Sequence, residues 1–215
     1  MPTVPVQGTL PRLRTQLDTG SPTASDDCAA VTALNLIRWA SHGRVGPDGQ
    51  HEVAAWVKRF RVAAGGGSAM TGGMFIRAEV LKALRSSWLR GEFQKHGLKP
   101  LLTDYYFRID WEDLKKIGQK GHGILLPLDY GTLIRGKAPI GDPNFYGDHS
   151  VGLIGFRTVS NRVYTNDGDP LFDGRRHGIP DGYQDTRWHY FKDAAGDFAV
   201  NGKATAIIVK RAALA

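Results

Sequence analysis

Apolar residues fall at helical spacing directly after Ser25-Asp26-Asp27, with Ala30, Ala33, Leu34 and Ile37 at i, i+3, i+4 and i+7. The pattern predicts a helix capped by one of those three polar residues, with Cys28 in its first turn and its end near Gly43. A second helix is expected from about His51 to Ala64, stopped by Gly65-Gly66-Gly67, and a third from Phe75 to Arg90, stopped by Gly91. Between them Gly65 to Gly73 reads as a loop. It is not a phosphate cradle, because the Lys and Ser/Thr that should follow such glycines at a helix start are absent.

Beyond residue 97 the periodicity changes from helical to strand-like. Leu101 to Phe107 is rich in aromatics, Asp110 is expected to cap a short helix over Trp111 to Ile117, and Gly123 to Leu128 is an apolar run suited to a buried strand. Ser150 to Arg157 and Arg162 to Asn166 surround a short polar turn and predict a hairpin. Trp188 to Ala195 reads as a short helix and Ala204 to Lys210 as a closing strand. Helices first and an antiparallel sheet afterwards is the α+β pattern. Residues 1–23, without helical periodicity, read as an extended arm available for protein assembly, and residues 24–215 as one domain without internal repeats.

Composition narrows the classes. At 215 residues, 41% hydrophobic and 23% charged, the chain can bury the core of one ordinary domain. It has no apolar run long enough for a membrane helix and no apolar stretch near its start to act as a signal peptide, so a cytoplasmic location, or export by a route other than a cleaved signal, is expected. The net charge of +7 favours an anionic neighbour. Its Lys and Arg are spread from Arg12 to Arg211 rather than gathered with aromatics on one element, which argues against nucleic acid as the partner. A single cysteine permits no internal disulfide and no zinc site built on paired cysteines. His42, His51, His96, His122, His177 and His189 lack ligand spacing, and Asp167, Asp169 and Asp173 lack the glycine and glutamate of a calcium loop. No metal and no cofactor are expected.

The remaining chemistry lies in Cys28 and His149. A thiol attacks as the thiolate, and the start of a helix favours negative charge through its unpaired N–H groups. An imidazole must then exchange the proton and a third polar group must orient the ring. His149 opens the first strand of the hairpin, and Asn166, Asp167 and Asp169 close the second. With a three-residue turn centred on Thr158, residue 149 faces Asp167, while Val151 and Leu153 face Thr165 and Val163. Asp167 is the preferred orienting residue, Asn166 the second and Asp169 the third. A lone cysteine in an apolar helix is more often a small buried hydrophobe, and the histidine and aspartate strands are what raise Cys28 above that reading.

The order of cysteine helix, histidine at a strand start and acid at the end of the next strand resembles the papain-like cysteine peptidases, in the branch that includes bacteriocin-processing and related bacterial or phage peptidases. The likeness rests on Gly147-Asp148-His149-Ser150-Val151-Gly152-Leu153-Ile154-Gly155-Phe156 followed by Val163-Tyr164-Thr165-Asn166-Asp167, with the preceding helix and strand at Trp111 to Ile117 and Gly123 to Asp129. It spans roughly residues 24 to 211. The resemblance implies a papain-like α+β fold and a peptide or peptidoglycan substrate. It also implies Cys28 as nucleophile, His149 as general base and acid, and Asp167 as orienting residue. The glutamine that this family places before its cysteine is missing between Leu17 and Asp27, leaving Thr23 or Ser25 beside the Cys28 N–H as oxyanion donors. The same fold without catalysis, serving as a structural part of an assembly such as a phage particle, is the alternative.

Overall fold

The computed structural model describes residues 27–66, 74, 76–129, 132, 148–157, 162–166, 183–195 and 201–215. The expected arm 1–23, most of the Gly65–Gly73 loop, and Thr23, Ser25, Asp167 and Asp169 lie outside the described residues. The helices are α1 (Cys28–Ala40), α2 (Val53–Ala63), α3 (Leu81–Leu84, entered through a wide turn over Ile76–Val80), α4 (Ser87–Lys95), α5 (Trp111–Gln119) and α6 (Trp188–Asp193). The strands are β1 (Thr103–Ile109), β2 (Gly123–Asp129), β3 (Asp148–Arg157), β4 (Arg162–Asn166), β5 (Tyr183–Arg187) and β6 (Ala204–Val209). They form one antiparallel six-stranded sheet in the order β1-β6-β2-β3-β4-β5. The α+β expectation therefore holds. No described helix is long and apolar enough to cross a membrane.

Strand alternation divides the core in two. Leu125, Ile154, Ile207 and Val209 meet α1 and, beyond it, Phe60, Val80, Leu84, Leu89 and Phe93. Ile124, Leu126, Leu128, Val151, Leu153 and Ile208 meet Trp111, Leu114, Trp188 and Phe191 on the opposite face. All thirteen residues of α1 are buried, since α2 and the 76–80 turn cover the side that the sheet does not. The one-sided stripe expected from its spacing is thus wrapped all round. Its polar Arg38 is accommodated by donating to the carbonyl of Pro47 and by pairing with Asp48 at 3.3 Å.

Three local expectations are corrected. Gly91 does not end a helix, because a break at Arg85-Ser86 comes first: Ser86 Oγ accepts from Leu89 N at 3.2 Å and caps a new helix that runs through Gly91 to Lys95. A side chain at Gly91 would meet nothing within 4 Å, so the half-buried glycine costs the helix propensity but no packing. Asp110 stands at the start of α5 without a side-chain cap bond, held instead by Lys203 at 3.3 Å. The hairpin register is displaced by two residues, with Thr165 facing Leu153 and Asn166 facing Gly152. The ladder shifts between Ile154 and Arg157, where Gly155 takes φ 62°, the left-handed conformation that admits an extra residue into β3.

Candidate active site

The site begins with how α1 lies on the sheet. Thr32 Oγ1 donates to the carbonyl of Ser150 at 2.7 Å, a buried bond that pins the second turn of α1 to β3. Farther along the helix, Leu36 and Trp39 press on Gly123, where an added Cβ would come within 2.8 Å of the Trp39 ring and 3.0 Å of Leu36. Gly123 precedes the Ile124–Leu153 rung, so these later turns lie level with Ile154. Helix α1 and strand β3 therefore run in the same direction, and their starts share one end of the sheet. Stepping back from Thr32 to Cys28 covers about 6 Å of helix, the length of about two strand residues. That places Cys28 level with Asp148 and His149.

The two candidate residues reach that end from different sides. Cys28 is 8% exposed and belongs to the α1 core, whereas His149 is 3% exposed. His149 pairs with Leu128 across the β2–β3 ladder, and Leu128 and Val151 both belong to the α5–α6 core. The pleat thus gives Ser150, Gly152 and Ile154 to α1 and directs the Cβ of His149 to the other face. The fold brings the two backbones to one end of the sheet, while the Cβ of His149 turns to the face opposite the one that α1 covers. Asn166 faces Gly152, three residues beyond His149, so the register from which Asp167 was preferred does not hold.

Asp27 occupies the position before α1 but makes no side-chain cap bond. Its Oδ1 instead accepts from Arg61 Nε at 2.9 Å and Nη2 at 2.6 Å, joining the start of α1 to α2. Both side chains are nearly inaccessible, at 7% for Arg61 and 4% for Asp27. A carboxylate that would oppose a neighbouring thiolate is therefore matched by a guanidinium. Sequence reasoning singled out Asp27 as a cap and missed Arg61, because a pair 34 residues apart leaves no periodic trace. The sheet end also carries Asp129, opposite Asp148; its carboxylate accepts from Thr132 N at 3.2 Å and Oγ1 at 2.7 Å.

Displaced titrations lie at the opposite end of the sheet. Desolvation, reinforced by Arg211 and Arg44, holds His42 below the ordinary histidine range, and desolvation with Lys210 does the same to His122. Among the described residues no three His, Cys, Asp or Glu groups gather as a metal site. No protein-family model matches the chain, and no curated protein matches it.

Proposed function

We propose that the chain is a thiol hydrolase of papain-like architecture that cleaves an amide bond in a protein or a peptidoglycan peptide. The observation that supports this reading is the 2.7 Å bond from Thr32 to Ser150, which fixes the start of the cysteine helix beside the start of the histidine strand. In this scheme His149 first accepts the thiol proton of Cys28. The Cys28 sulfur then attacks the scissile carbonyl carbon, a C–S bond forms, and the C–N bond breaks as His149 gives its proton to the departing amine. Water, losing a proton to His149, cleaves the thioester and restores the thiol. Asp167, Asn166 or Asp169 orients the ring, and the Cys28 N–H with Thr23 or Ser25 receives the oxyanion.

Iodoacetamide labelling of the native protein near neutral pH tests this reading. Rapid alkylation of Cys28 that is lost in His149→Ala is the expected result. A thiol modified only after denaturation overturns it. The deep burial of both side chains favours a second reading, the same fold as a non-catalytic component of an assembly, for example a phage particle. That reading expects removal of residues 1–23 to abolish assembly while the circular dichroism of the domain is unchanged.

A further inference from the structure

The Asp27–Arg61 pair lies outside the triad scheme, although it stands one residue before the thiol. A carboxylate at the start of a helix needs no partner on another helix, because the unpaired N–H groups of the first turn are available to it. Here the carboxylate forgoes that bond and turns to α2, with two donors of one guanidinium converging on a single oxygen. Removing two charges from water is a large penalty, so a pair this inaccessible is poor evidence for stability in its own right. What the arrangement achieves is electrostatic: it compensates the charge of Asp27, the residue next to the thiol, while holding α1 against α2.

We propose that Arg61 is a positioning residue for Cys28, cancelling the charge of Asp27 so that the thiolate can form and fixing the turn from which the sulfur projects. This deepens the thiol-hydrolase reading and rests on it. Arg61 acts on the thiol through Asp27 and touches no substrate. The other charged or titratable imidazole, carboxylate and cationic groups on elements packed against α1 are Asp148, His149 and Arg157 from β3, Asp129 from β2, Lys58 and Arg59 from α2, Arg77 and Glu79 from the 76–80 turn and Arg162 from β4; β6 carries none. None of them changes in the variants that test the idea.

The experiment follows the rate of iodoacetamide alkylation against pH in the full chain, for Arg61→Met, Asp27→Asn and the double variant, each shown to be folded by circular dichroism. In Arg61→Met the bare carboxylate should slow alkylation near neutral pH about tenfold and move the profile about one unit to the alkaline side. Asp27→Asn, which leaves the guanidinium unopposed, should move it to the acidic side. The double variant, with neither charge, should return to within about twofold of the parent. An unchanged profile in folded Arg61→Met, or a double variant as slow as the single one, overturns the proposal. If Arg61→Met does not fold, Asp27→Asn decides alone, and absence of the acidic displacement overturns it. If iodoacetamide does not reach Cys28 in the native parent, the hydrolase reading fails separately. The ultraviolet absorbance of the thiolate, with Cys28→Ala as blank, then reads the same displacements.

Discussion

The two faces of the sheet are built by different rules. Against α5 and α6 the filling is aromatic: Trp188 meets Trp111 at 5.5 Å and Phe156 at 5.3 Å, both edge to face, with Phe191 beside it. Against α1 the strands offer small residues, Gly123, Ser150 and Gly152, and the helix mixes Ala29, Ala30, Ala33 and Ala40 with Leu36 and Trp39, which reach down onto Gly123. Close approach lets backbone and short polar side chains bond across the interface, as Thr32 does to Ser150, and the buried polar groups Asp27, Asn35, Arg38 and Arg61 gather on this side. Bulk fills the aromatic face, and close approach holds α1 in place on the strands. A change of one methyl group should therefore mean different things on the two sides.

The largest effect is expected from the aromatic face. Phe191→Ala removes a fully buried ring and should cost about 3–5 kcal/mol, measured by urea unfolding. The alkylation rate of Cys28 in the molecules that remain folded should be unchanged. An equally large change in that rate would show the two faces to be one mechanical unit. Gly123→Ala is the counterpart on the other face: its methyl group would stand 2.8 Å from the Trp39 ring and 3.0 Å from Leu36. The expected loss is about 1–3 kcal/mol, accompanied by altered Cys28 reactivity as α1 is pushed off the strand. A stability loss with no change at Cys28 would mean that helix position and thiol chemistry are separate.

The same contrast decides how much was legible in the sequence. The apolar run Gly123–Asp129 and the closing strand Ala204–Val209 are buried on both faces and carry a strong local signal, so both are read correctly. Strand β5, Tyr-Gln-Asp-Thr-Arg, is missed because it is a polar strand at the edge of the sheet. The break at Ser86 is missed because Ser-Ser contains no glycine or proline, while Gly91 misleads by standing inside a helix where a side chain would meet nothing. In the site, Cys28 and His149 are legible as residue types at element starts. The face to which His149 turns depends on long-range pairing with Leu128, and the hairpin register on a left-handed Gly155; neither is written in local periodicity.

Thr32→Val sharpens the comparison at a single bond. The substitution keeps the volume, removes the donor, and leaves the Ser150 carbonyl without that partner, so a loss of about 1 kcal/mol in urea unfolding is expected. Its effect on Cys28 alkylation should exceed that of Phe191→Ala despite the smaller cost in stability. The reverse order would remove the distinction between a face that stabilises and a face that positions.

The smallest effect belongs to the end of the sheet farthest from Cys28, where His42 and His122 sit among Arg44, Lys210 and Arg211. Both imidazoles have their folded pKa lowered from 6.5, by desolvation first and by these cations second. Below pH 6.5 the unfolded chain accepts protons that the folded chain resists, so stability falls as the pH drops through that value, and above about pH 7.5 the two residues contribute nothing. Solvent screening keeps the combined effect under about 1 kcal/mol. His42→Gln with His122→Gln should flatten this part of the profile. The measurement is the difference in urea midpoint between parent and double variant at pH 5 and at pH 8, expected to favour the variant only at the lower pH. An equal difference at both values would mean that the two side chains act through packing rather than through protonation.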